Sequence, residues 1–183
     1  MTVQKKAAPG GNGIKSKVKI QKKPYQKSLA VKELEKIATD EARRKYPDTP
    51  PEWLAPRKYR DDTANALTKC IIDFLKFSGH QAERVANMGR LIDQRHTFAD
   101  IAGRTRTIGQ KKWIPGSGTN GTADISATIA GLSVKLEVKI HDRQSEAQKK
   151  YQRDIEQAGG IYVIARTFEE FHQWYNETFG GIE

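Results

Sequence analysis

Between residues 124 and 139 the chain alternates polar and apolar side chains in two successive runs, and this stretch limits the fold more tightly than any other. Asp124, Ser126 and Thr128 alternate with Ile125, Ala127 and Ile129, and Ser133, Lys135, Glu137 and Lys139 alternate with Leu132, Val134, Leu136 and Val138. A period of two is that of a half-buried strand. Only Ala130-Gly131 separates the runs, and a two-residue loop sets the register of a hairpin. Counting back from it puts Ile129 opposite Leu132, Ala127 opposite Val134 and Ile125 opposite Leu136, so every apolar residue meets another. The same count puts Thr128 opposite Ser133, Ser126 opposite Lys135 and Asp124 opposite Glu137, with Lys139 beyond on the same face.

Directly opposed residues in an antiparallel pair have β-carbons about 4.5–5.5 Å apart, so two carboxylates there repel unless a cation lies between them. A divalent ion suits the position: Mg²⁺ keeps several waters and takes only one or two protein carboxylates. The Lys139 ammonium, two residues past Glu137, points the same way and can orient a water and stabilise charge building on a phosphate. A polar hairpin face is also ordinary, and an acid beside a lysine is often a surface pair worth about 0–1 kcal/mol. The pattern alone leaves both readings open.

Around this hairpin the periodicities predict a simple order of elements. Val31, Leu34, Ile37, Ala38 and Ala42 fall at helical spacing over residues 28–46, closed by Pro47. Pro50, Pro51 and Pro56 then break regular structure, with Trp53 and Leu54 expected as an anchor. Residues 59–77 carry Ala64, Leu67, Ile71, Phe74 and Leu75 on one helical face, ended by Ser78-Gly79. Residues 82–86 read as a short strand. Residues 88–110 show no clean period, and 111–121 read as a mobile loop rich in turn formers. Ser145 to Gln148 has the form of a capping box opening a helix to Gly159-Gly160; residues 161–165 read as a strand, and Thr167 with Glu170 caps a last helix.

These motifs, taken together, resemble those of the PD-(D/E)XK nuclease superfamily. Gly121-Thr122-Ala123-Asp124, then Glu137-Val138-Lys139, then Ser145 and Gln148 at a helix start, then Gly159-Gly160 before an apolar strand, are spaced as in its VRR-NUC and related phage or bacterial branches. The resemblance covers residues 59–175 and is sharpest over 121–160. It implies an α/β fold with a restriction-endonuclease-like core, a small mixed β-sheet flanked by α-helices in the order α-β-β-β-α-β-α. It further implies Mg²⁺- or Mn²⁺-dependent hydrolysis of DNA phosphodiester bonds in replication, recombination or repair, with branched DNA among the substrates. Asp124 and Glu137 would be metal ligands together with the Val138 carbonyl, Lys139 would assist the attacking water, and Gln148 would approach the same site. Gln148 serves equally well as a plain helix cap. Ala123 stands where the superfamily's name has proline. No acid of the first domain helix holds a clear place: Asp61, Asp62 and Asp73 lie off it, and Asn65 is the nearest polar residue. A homodimer follows only from the habit of such enzymes.

Charge supplies a second constraint. Residues 1–32 hold nine lysines and no acid, so the amino-terminal segment carries +9 of the net +10. We therefore expect a disordered lysine-rich tail over 1–28, a helix and proline-rich linker over 29–57, and a nuclease-like domain over 58–183. The tail suits a polyanion such as DNA without reading its sequence, or serves only solubility. Arg104, Arg106, Lys111, Lys112 and Trp113 place basic charge and one aromatic before the site, which suits phosphate contact and base stacking; a solvated loop with Trp113 in the core fits equally.

Other chemistry is disfavoured. The four histidines have no zinc-site spacing, the single cysteine, Cys70, reads as a small core residue, and no Gly-Lys-Ser/Thr follows Gly116 and Gly118. No apolar run approaches the roughly 20 residues needed to cross a bilayer, and the first residues lack a signal peptide's apolar stretch. The expectation is a cytoplasmic protein with no membrane partner. A noncatalytic nucleic-acid-binding module on the same fold is the alternative.

Overall fold

The computed structural model describes residues 24–86, 89–116 and 118–180. Most of the expected tail, residues 1–23, lies outside the described residues.

Helix α1 (Leu29–Lys45) starts where the Ser28 hydroxyl accepts the Val31 amide, and it buries Ala30, Val31, Leu34 and Ala38. After a single 3₁₀ turn (Pro51–Trp53), α2 (Ala64–Phe77) is capped by Thr63 and buries Leu67, Cys70, Ile71, Phe74 and Leu75. Trp53 does not anchor the linker, being 77% exposed. Then come β1 (Gln81–Arg84), β2 (Arg90–Asp93), β3 (His96–Ala99), β4 (Thr105–Ile108), β5 (Lys111–Ile114), β6 (Ile125–Ile129), β7 (Leu132–Val138), α3 (Glu146–Gln157), β8 (Ile161–Ala165) and α4 (Phe168–Phe179).

The α/β class holds. Strands β1, β6, β7 and β8 form a four-stranded mixed sheet in that spatial order, antiparallel except for the β7–β8 pair. The β6–β7 register is the one counted from the turn, from Ile129 with Leu132 to Ile125 with Leu136. Ala130 and Gly131 both have positive φ, 47° and 80°, as a type I′ hairpin turn demands.

One face of the sheet, with Ile125, Ala127, Val134 and Leu136, packs on α2, and α4 lies against β8 and α2. Helix α3 lies against β8, where Tyr151 meets Tyr162 edge-on with ring centroids 6.3 Å apart. Helix α1, placed before the boundary near residue 57 in the sequence reading, packs against α2 and α4 and shares the same core. No helix among the described residues is long and apolar enough to cross a membrane.

Two expectations need correction. The order after α2 contains four further strands, β2 to β5, inserted between β1 and β6. Residues 111–114, expected as the start of a loop, form β5, paired with β2. These strands escaped detection because an exposed ribbon has no buried face to impose an alternation of polar and apolar residues.

Candidate active site

The strand ends around Asp124 and Glu137 gather five of the residues singled out in the sequence, Asp124, Glu137, Val138, Lys139 and Gln148. Asp124 immediately precedes β6, and its side chain turns across to β7, where Oδ2 accepts the Val138 amide at 2.9 Å. Val138 thus touches the site through its N–H, while its side chain is in the core. Glu137 faces away from that core, yet it is only 2% exposed. A carboxylate so enclosed must be compensated.

The compensation comes from three directions. Lys139 places Nζ 3.0 Å from Glu137 Oε1, with its own side chain 15% exposed. Gln148 Nε2 donates to the same oxygen, and the Tyr162 hydroxyl stands 3.5 Å from Oε2. Burial still pushes the Glu137 carboxyl above the usual carboxylate range; the negative charge of Asp124 adds to this, and Lys139 opposes it. The Tyr162 phenol is pushed up to about 12 by burial and by the Glu137 charge.

Gln148 makes two contacts, one to the helix start and one to Glu137. Its Oε1 accepts the Ser145 amide at 2.9 Å, completing the capping box, which leaves the amide nitrogen aimed at Glu137. The helix start is brought close by Gly121, whose φ is 84° and where any β-carbon would collide with the Ala147 carbonyl and the Gln148 amide. The glycine before Asp124 therefore docks α3 onto the site as well as turning the chain.

Asp61 and Asp73, in the first domain helix region, hold structural contacts. Asp61 accepts the Tyr25 hydroxyl at 2.8 Å and the Phe168 amide at 3.0 Å, and Asp73 accepts the Tyr59 hydroxyl at 2.7 Å. Asn65 accepts from Arg84 on β1 at 2.8 Å. Cys70 is buried in the core as expected, its thiol pushed up to about 12 mainly by burial.

Arg104, Arg106, Lys111, Lys112 and Trp113 lie on the inserted ribbon or its tip, exposed, and Trp113 is 60% accessible rather than tucked into the core. Tyr162 is the site residue missed in the sequence. It sits in an apolar run, and only the parallel pairing of Lys135 with Tyr162 brings it to the polar face.

Among the described residues no three side chains of His, Cys, Asp or Glu converge to hold a metal. Two carboxylates and a peptide carbonyl are nonetheless the complement Mg²⁺ needs when water fills the other positions. A buried carboxylate with a raised pKa beside a second acid is also a site that gains from a cation. The residues fit such an ion. A cleft of about 560 Å³ between α1 and residues 56–58 holds none of Asp124, Glu137, Lys139 and Gln148. No protein-family model and no curated protein matches the chain.

Proposed function

We propose that the protein is a Mg²⁺- or Mn²⁺-dependent deoxyribonuclease on a restriction-endonuclease-like core, with Asp124 and Glu137 as the metal ligands. The observation that carries this reading is the meeting of Asp124, Glu137, Lys139 and Gln148 at one end of β6 and β7. When bound, the ion supplies Lewis acidity toward water and phosphate oxygen, the chemistry needed to hydrolyse an unactivated diester. Asp124, just before β6, and Glu137 on β7 would hold it, with the carbonyl of Val138, the next residue after Glu137, as the third oxygen.

Lys139 then has a second task. Were a cation to compensate Glu137, the ammonium would be free to hold a water against phosphorus and to stabilise the additional negative charge as the P–O ester bond breaks. Gln148, held by its bond to Ser145, fixes the orientation of Glu137. The expectation of a DNA substrate rests on the basic charge beside the site and on the lysines at the amino terminus.

The test is cleavage of end-labelled linear, flapped and four-way DNA with Mg²⁺ or Mn²⁺. Asp124→Ala and Glu137→Ala should each lower the rate by about a thousand-fold or more, and Lys139→Ala by about a hundred-fold. If the carboxylate variants cut as fast as the parent, the activity belongs elsewhere.

A further inference from the structure

The insertion between β1 and β6 is a single ribbon. The register that pairs Arg90 with Ile114 and Asp93 with Lys111 continues without slip into His96 with Ile108 and Ala99 with Thr105. Between the halves the Gln94 amide donates to the Gln110 carbonyl at 3.2 Å. Two antiparallel strands of ten residues, 90–99 and 105–114, at about 3.3 Å per residue, extend roughly 30 Å. Of the strand residues only Ile92 is even half-buried.

The composition of this ribbon suits neither a core nor a plain solvated edge. Four cross-strand pairs, Arg90–Ile114, Ile92–Lys112, His96–Ile108 and Phe98–Arg106, each set a basic or imidazole side chain against an apolar one. Residues 90–114 carry six Lys and Arg against two Asp. Both acids are engaged within the ribbon: Asp93 by Arg95 at 2.7 Å, and Asp100 by Arg106 at 2.9 Å and Arg104 at 3.6 Å. They shape the ribbon while leaving it with a net charge of +4.

The ribbon also leaves the body beside the catalytic residues. Gly89 and Trp113 at its base line a cleft of about 310 Å³ whose other wall includes Asn120, Gly121 and Thr122, the residues that lead into Asp124.

We propose that this ribbon enters the major groove of B-form duplex DNA and presents the adjacent backbone to the site, a reading that rests on the proposed nuclease function for the cleavage step. The groove is about 12 Å wide and admits a two-stranded β-ribbon, and one duplex turn is about 34 Å, close to the ribbon's length. Its cations meet the flanking phosphates, while Phe98 and Ile108 meet base edges and thymine methyl groups. A second copy of the chain is a poorer occupant, since pairing two ribbons would oppose +4 with +4. A-form RNA is excluded by geometry, its major groove being too deep and narrow for side chains to read.

The experiment compares the full chain with a variant in which residues 95–109 are replaced by Asn-Gly, and with the double variant Phe98→Ala/Lys112→Glu that keeps the ribbon whole. Binding to a labelled DNA duplex, the matching RNA duplex and the single strand is measured by anisotropy in EDTA, so that no cleavage intervenes. Both variants should bind the DNA duplex about ten-fold or more weaker, the shortened one with a salt slope shallower by about two, and the other two ligands should change less than about two-fold. Guanine N7 atoms shielded from dimethyl sulfate by the full chain should become reactive with the shortened one.

Unchanged duplex affinity, or an equal loss on all three ligands, would overturn the proposal. So would a sedimentation result in which the full chain is a dimer and the shortened one a monomer. The two readings fail separately. Ribbon-dependent duplex binding with no cleavage in Mg²⁺ or Mn²⁺ sinks the nuclease alone, and cleavage with ribbon-independent binding sinks the ribbon's role alone.

Discussion

At the scale of single residues, Glu137 is the one charged side chain that is buried among the described residues. It is 2% exposed, its nearest cation is Lys139, and its carboxyl is held above the usual range first by burial and then by Asp124. A folded pKa above the unfolded one means that the folded protein binds this proton more tightly. That contribution is complete below the ordinary carboxylate pKa and disappears as pH rises through the raised value. Near neutrality, ionised Glu137 therefore costs the metal-free fold some stability, with the attraction of Lys139 already included in the direction of the shift. Glu137→Gln, which imitates the protonated form, should melt about 2–4 °C above the parent in chelator at pH 7.5, and the rise in melting temperature expected for the parent with Mn²⁺ should be lost in this variant. A lower melting temperature would show that ionised Glu137 does not cost the fold stability, and an undiminished response to Mn²⁺ would show that it is not a ligand.

At the scale of elements, the β6–β7 hairpin is set by its turn. A type I′ turn needs positive φ at both central positions, which Gly131 adopts freely and Ala130 does not. Ala130→Asn should raise stability by about 0.5–1 kcal/mol, read as a higher urea midpoint at unchanged slope, and the proposed cleavage should be unaffected because the turn lies at the opposite end of the strands from Asp124. A lower midpoint would mean that the turn is not the strained point of the hairpin. The ribbon of β2 to β5 shows the converse. Its two halves keep one register, yet apart from half-buried Ile92 its strand residues are exposed and carry no buried stripe for the sequence to display.

At the scale of the whole molecule, α1 decides how far the fold extends. Leu34 is 1% exposed, in the same core as Leu67, Phe168 and Leu136. Leu34→Ala should cost about 2–5 kcal/mol and shift a single unfolding transition seen by both circular dichroism and tryptophan fluorescence. If α1 were a detachable appendage, the transition of the remaining fold would keep its midpoint. The distinction was not legible beforehand, because an amphipathic stripe announces that a helix is buried without saying against what. Wherever order follows from neighbours in the chain, the sequence alone was enough: the hairpin register, the capping box at Ser145 and the side-by-side placing of Asp124, Glu137 and Lys139 come from periods, turn length and cap chemistry. Tertiary structure alone decided the parallel pairing that brings Tyr162 to Glu137, the docking of α3 through Gly121 that lets one glutamine serve two partners, and the projection of a basic ribbon beside the site. Each depends on contacts between segments far apart in the chain, which are chosen by competition among all the surfaces a folded chain can bury, and local patterns do not encode that competition.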